Sequence, residues 1–138
     1  MDRSNLLFPM IALAALTFAV LLLVGARRFR AGFARHVSYD DFRLGESARV
    51  PPEVQVPNRN LMNLLELPVL FYVACIAYQV MAQVNGTVLA LAWSYVALRV
   101  LHSAIHLTYN DVRHRLTVFS ASNAVLIVLW ANLLQSLA

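Results

Sequence analysis

Residues 58–68 read Asn-Arg-Asn-Leu-Met-Asn-Leu-Leu-Glu-Leu-Pro and lead straight into an apolar run that lasts to Val84. Arg59, Asn63 and Glu66 are spaced i, i+4 and i+7, which on a helix puts all three in one narrow wedge. A second stretch repeats the arrangement inside the apolar run Thr87–Leu107: Arg99, His102 and His106 at i, i+3 and i+7, with Tyr95 one turn earlier. A charge at mid-bilayer costs about 2.5–3.5 kcal/mol on insertion scales, so such residues turn toward a partner, a cavity or a ligand rather than acyl chains. Arginine cannot escape by losing its proton.

The rest of the chain sets the class. Of 138 residues 60% are hydrophobic and only 13% charged, and mean hydropathy is +0.64, far from an ordinary soluble domain. Four apolar segments stand out: Leu6–Ala26, Leu67–Val84, Thr87–Leu107 and Leu116–Leu137. Each approaches the roughly 20 helical residues needed to cross a hydrocarbon core. The period-two alternation of a transmembrane barrel is absent. The pattern predicts an all-α integral membrane four-helix bundle, a single domain with helices at about 6–27, 58–84, 87–108 and 115–137 and a connection at about 28–57. Leu6–Ala26 is too long for a signal peptide's apolar region, and its basic cluster follows rather than precedes it, so it reads as the first span.

Charge orients these helices. All eleven cationic residues are arginine. Arg27, Arg28, Arg30, Arg35, Arg43 and Arg49 fall in the first connection, Arg113 and Arg115 in the third, and none in the second, Gln83-Val84-Asn85-Gly86. By the positive-inside rule the first and third connections face the cytoplasm and both termini lie outside, with Arg3 balanced by Asp2. The net charge of +4 follows from this topology and from affinity for anionic headgroups or ligands, not from nucleic-acid binding. Asn85-Gly86 is a tight-turn dipeptide and makes an antiparallel hairpin of the second and third helices. Prolines 51, 52 and 57 suggest an extended run into a helix starting near Asn58, and Pro68 bends that helix and frees a carbonyl near the polar row.

In such a hairpin, with both rows on inner faces, Arg59 and Asn63 lie level with His106 and His102, and Glu66 pairs with Arg99. Arg113, His114 and Arg115 cap the same end, within reach of Arg27 and Arg28. The pocket these residues form keeps a positive excess and asks for an anion. Purely architectural polar contacts are the competing reading. His102 and His106 lack a third ligand and sit beside Arg99, so no metal is expected. Cys75 reads as a buried inert thiol, Ser120 and Asn123 as packing contacts, and His36 and His114 as solvated.

The run Asn58–Pro68, then Arg99-Val100-Leu101-His102, Tyr109 and Arg113-His114-Arg115, resembles the MAPEG family, membrane-associated proteins in eicosanoid and glutathione metabolism, and most closely its bacterial branch. The resemblance implies a homotrimer in the bacterial inner membrane, with glutathione sites between neighbouring subunits that open to the cytoplasm. It implies that Arg59, Asn63 and Glu66 hold glutathione, that Arg99 and His102 line the same site, and that Arg115 stabilises the thiolate. His106 stands where the family's eicosanoid enzymes carry a glutathione-contacting tyrosine, with Tyr109 three residues on. Leu116 replaces a hydroxyl residue, and Phe119 lacks a phenol. Arg113, Tyr109 and Arg28 complete the candidate glutathione contacts. The implied activity is a glutathione S-transferase or peroxidase acting on lipophilic electrophiles. A non-catalytic membrane assembly protein and a small anion transporter are the alternatives, the latter disfavoured by the apolar outer half of the third helix.

Overall fold

A computed structural model describes residues 6–136, and all their regular structure is helical. The helices are α1 (Leu7–Phe33), α2 (Pro52–Leu65), α3 (Pro68–Val80), α4 (Gly86–Leu107) and α5 (Val112–Gln135), with a 3-10 turn at Tyr39–Phe42. α2 and α3 together form one span, Pro52–Val80, and with α1, α4 and α5 give four helical segments long and apolar enough to cross a membrane. The expectations for Asp2, Arg3, Leu137 and Ala138 lie outside the described residues.

The core runs the length of the bundle. Leu13 and Val20 of α1, Leu64 of α2, Phe71 and Tyr78 of α3, Val88 and Tyr95 of α4, and Leu129 of α5 are all buried in it. Phe71 and Tyr95 stack with ring centroids 4.7 Å apart. Tyr78 Oη donates to the Leu129 carbonyl at 2.9 Å and lies 3.2 Å from Asn132 Oδ1, joining α3 to α5. Large apolar side chains point outward as well, such as Leu22, Phe18 and Ile127. That is the surface a lipid solvent requires.

Two boundaries differ most from the sequence reading, each for a local reason. α1 continues to Phe33 because leaving the hydrocarbon does not end a helix. It stops where His36 N–H bonds the Ala31 carbonyl and Arg35 N–H the Gly32 carbonyl, with Arg35 at φ 56°. α2 begins at Pro52, not Asn58: proline at the first helical position gives up an N–H that has no intrahelical partner anyway. Pro57 lies inside α2, and the Glu53 carbonyl it leaves without a donor belongs to an exposed residue that water can serve. The connection therefore shrinks from 28–57 to 34–51. The α3–α4 hairpin forms as expected, but Ala82 at φ 56° makes the reversal, while Asn85 caps α4 by accepting the Val88 N–H at 3.0 Å.

The connection 34–51 is ordered around Asp41. Its carboxylate accepts from Ser38 N–H (2.8 Å), Ser38 Oγ (3.1 Å) and Ser47 Oγ (2.7 Å), and pairs with Arg49 Nε at 3.2 Å. Beside it Val50 and Val54 pack on Ala31. The Ser38 backbone N–H, then the Ser47 hydroxyl, hold the Asp41 pKa down at about 2, from 3.8. A carboxyl lowered on folding adds stability above the unfolded carboxylate range, and that stability is lost as pH falls toward the folded value. Hydrogen exchange across 34–51, corrected for intrinsic rates, is therefore expected to stay slow at about pH 5 and become fast near pH 2. Protection that persists under acid would show that something else orders the segment.

Tyr78→Phe removes the tie between α3 and α5 while keeping the ring. It is expected to destabilise the bundle by about 0.6–1 kcal/mol, read as a lower thermal midpoint in detergent.

Candidate functional site

The two polar rows do not face one another within one chain. The α4 row points inward: Tyr95, Arg99, His102 and His106 are all buried, together with Ser103. The α2 row points outward. α2 buries Val54, Pro57, Asn60, Leu61 and Leu64, which leaves Arg59 and Glu66 exposed and Asn63 half-buried. The expected opposition of two inner rows is therefore corrected. Apolar Leu61 and Leu64, with Val54 a full two turns before Leu61, take the inner stripe of α2 and rotate Arg59 and Glu66 away from it. Level with Ser103 the inner position is Asn60, whose Oδ1 accepts from Ser103 Oγ at 3.2 Å.

Arg99 shows how this arrangement is built. The break between α2 and α3 falls at Glu66 and Leu67, directly before Pro68. Proline has no N–H to offer the preceding turn, and its ring clashes with the carbonyl four residues back. The carbonyl of Asn63, at the end of α2, is taken by Arg99 Nη2 instead. Arg99 does not pair with Glu66, contrary to the sequence expectation: among the described residues the ion pairs are Arg28–Glu46 and Arg49–Asp41. Glu66 is nonetheless close enough for Arg99 to feel its charge. The guanidinium also lies over Phe119 of α5, 5.5 Å from the ring centroid. Its Nε and Nη1 find no acceptor among the described residues.

The histidines continue the row. The His102 ring lies 5.7 Å from that of His106 and 5.6 Å from Phe119. Arg115 is within electrostatic reach of both, and Arg59 of His106. The Nδ1 atoms of His102 and His106, Nδ2 of Asn60 and Oη of Tyr95 have no hydrogen-bond partner among the described residues. No group of three or more His, Cys, Asp or Glu there could hold a metal ion. Arg99 Nε and Nη1 and Asn60 Nδ2 are thus buried donors without an acceptor, beside histidine ring nitrogens that donate or accept according to tautomer.

At the start of α5, Asp111 caps the helix by accepting the N–H groups of Arg113 (2.9 Å) and His114 (3.0 Å). Those bonds, that of His114 foremost, lower the Asp111 pKa. Arg115 Nη1 donates to Asn110 Oδ1 at 2.7 Å, and Tyr109 Oη lies 3.1 Å from His114 Nδ1. Arg113 and Tyr109 are exposed.

Arg28 departs from the expectation that it reaches the site. It binds Glu46 at 3.4 Å and lies over Phe42, 4.9 Å from the ring centroid, both in the connection after α1. The expected positive pocket is not enclosed by one chain either. Arg99 is buried while Arg59 and Arg113 are exposed, and three cavities of the structure lie elsewhere. One copy supplies a wall, not a chamber.

With this geometry in place, comparison with known families is decisive. A family model, that of the MAPEG family, matches residues 6–135. The chain belongs to the MAPEG family. It is a multi-pass membrane protein, and the family match takes in all four spans. No curated protein and no solved structure matches the chain.

Asn60, Ser103, Asn110 and Phe119 complete this MAPEG wall, and of these only Phe119 was singled out from the sequence. The spacing of Val54, Pro57, Leu61 and Leu64 held the signal for Asn60, since it already marks an inner stripe distinct from the 59/63/66 wedge.

Pro68→Ala restores an amide and removes the ring clash, so the break should heal and the Leu67 N–H compete for the Asn63 carbonyl. The expected result is slower hydrogen exchange over residues 67–70 but a lower thermal midpoint, because Arg99 loses its acceptor. A continuous helix with an unchanged midpoint would mean that this carbonyl is not what holds Arg99.

Proposed function

We propose that this MAPEG protein is a glutathione-dependent transferase or peroxidase for lipophilic electrophiles, assembled as a homotrimer in the bacterial inner membrane. One observation carries the reading: Glu66 is exposed midway along the span Pro52–Val80. Lipid cannot solvate a carboxylate there, so another polar group must cover it. A neighbouring copy closing over the α2 face turns the wall into a site between subunits. The positive-inside rule sets the arginine-rich connections, and with them the opening of the site, toward the cytoplasm, with both termini outside.

Glutathione suits the donor set. It carries two carboxylates and one ammonium. Arg59 complements a carboxylate and Glu66 the amine, while Arg99, buried behind α2, adds positive potential. Asn63, His102, His106 and Tyr109 supply neutral hydrogen-bonding groups around the tripeptide. Arg113 adds positive potential at the mouth.

Arg115 is the thiolate partner in this reading. A free thiol has a pKa of about 8.5 and is a weak nucleophile, and a guanidinium beside it favours the ionised form. Arg115 is already held by Asn110 and has donors to spare. In transfer, the sulfur pair forms a C–S bond to the electrophilic carbon while that carbon's leaving group departs with its own pair. In peroxidase chemistry, two glutathiones lose two electrons and two protons to a hydroperoxide, giving disulfide, alcohol and water.

The test is glutathione titration of the purified protein, followed by the ultraviolet thiolate band and by calorimetry. A band at neutral pH is expected, lost in Arg115→Ala and kept in Arg113→Ala. Glu66→Gln should raise Kd about tenfold, the equivalent of about 1.4 kcal/mol. A protein that binds no glutathione, yet tolerates Glu66→Gln combined with Arg99→Leu, is a membrane assembly protein instead.

A further inference from the structure

Away from these rows, two adjoining cavities lie where α1 meets the connection. The first, about 510 Å³, is lined by Gly25, Arg28, Phe29, Gly32 and Phe33 of α1 and by Val37, Ser38, Tyr39 and Phe42. The second, about 320 Å³, shares Gly32, Val37 and Ser38 with it and adds Arg35, His36, Asp41 and Arg49. The first is mostly aromatic and aliphatic. The second carries two arginines, a histidine and one aspartate.

Their depth follows from helix length. The 27 residues of α1 extend for about 40 Å, against a hydrocarbon core of about 30 Å. Counted from Leu7, some 20 residues fill the core, so Gly25 to Phe33 emerge at the level of the headgroups. Phe29, Phe33 and Tyr39, all strongly exposed, sit at that level as an aromatic belt does. Six arginines lie between Gly25 and Pro51, against Asp40, Asp41 and Glu46. The Asp41 carboxylate pairs with Arg49 and offsets its charge, which leaves Arg35 as the cation of the second cavity with no ion pair among the described residues.

Two local features lack an explanation within the chain. Glycine is disfavoured inside a helix, yet a Cβ at Gly25 or Gly32 would meet nothing within 4 Å. Arg35 occupies the left-handed position that ends α1, where glycine is preferred. The first feature leaves a groove open along α1, and the second keeps a guanidinium at its polar end. The Nε of Arg28, between them, is buried with no hydrogen-bond partner.

We infer that this paired cavity binds an anionic phospholipid, its headgroup phosphate among Arg28, Arg35 and Arg49 and the start of an acyl chain lying along Gly25, Phe29 and Gly32. The order of the two cavities, polar then apolar, matches the order of the parts of a phospholipid at this depth. The site uses none of the residues through which the proposed function acts, so it stands whether or not that reading holds.

The protein, reconstituted in discs of mixed phosphatidylglycerol and phosphatidylcholine and extracted in mild detergent, is examined by native mass spectrometry for retained lipid. Wild type is expected to retain phosphatidylglycerol in preference. Arg35→Gly should lower that preference about fivefold while raising the thermal midpoint, since glycine suits the backbone there. Gly32→Leu should fill the groove and release both lipids with helix content intact. Retention in proportion to the disc composition, or a preference unmoved by Arg35→Gly, overturns the inference. So does a Gly32→Leu variant that changes the oligomeric mass, because the groove is then a contact between copies. Should Gly32→Leu not fold, Arg35→Gly decides alone.

Discussion

A hydrocarbon solvent offers no hydrogen bonds, and the contact between Arg99 and the Asn63 carbonyl is where this chain meets that constraint most directly. An arginine in the middle of α4 needs an acceptor, and an unbroken second span would offer only carbonyls already bonded to the N–H four residues on, to be shared as the Leu129 carbonyl is shared with Tyr78. Pro68 breaks the span and releases one. The break and the buried cation thus depend on each other. With the Asn60–Ser103 contact one turn away, they fix the register of α2 against α4 by polar groups, where apolar side chains alone would let the helices slide.

The same constraint has the opposite outcome on the outer face of α2. Arg59 and Glu66 gain nothing from the chain's own bundle, because the inner stripe is already taken by Val54, Leu61 and Leu64. Exposed charge on a span is stable only when something covers it. Buried donors short of acceptors on one side, and exposed charge on the other, are two halves of one unsolved problem for a single copy. An assembly that brings a neighbour and a polar ligand to that face covers the exposed charge. In the proposed reading, subunit association and ligand binding therefore draw on the same residues.

The spans were legible because apolar length is a summed property that no single residue can overturn: Thr87–Leu107 as read from the sequence and Gly86–Leu107 in the structure differ by one residue. The α4 row was legible for the same reason, since three polar residues on one face of an apolar helix have nowhere to go but inward. The α2 row misled because that helix is short and polar on two sides. Asn60 and Asn63 lie only about 60° apart around the helix, and choosing between them required weighing which apolar stripe packs better. Boundaries differ where the membrane surface was taken for a helix end, near Arg27, and where Pro51, Pro52 and Pro57 were read as an extended run, before Asn58. The capture of Arg28 by Glu46 and Phe42 depends on how the connection folds back over α1. Nothing local in the sequence encodes that return.

The exclusive use of arginine becomes intelligible from these contacts. Arg99 gives one nitrogen to a backbone carbonyl while its flat face lies over Phe119 and two further nitrogens stay available. Arg28 combines a carboxylate and an aromatic face in the same way, and Arg115 keeps several donors after binding Asn110. An ammonium concentrates its charge at one point, is hydrated more strongly and has no planar face to lay on a ring. Lysine at position 99 could reach the Asn63 carbonyl but could not also present a second, differently directed set of donors. Where one side chain must fasten two helices together and still have donors to spare, the guanidinium meets both demands and the ammonium meets one.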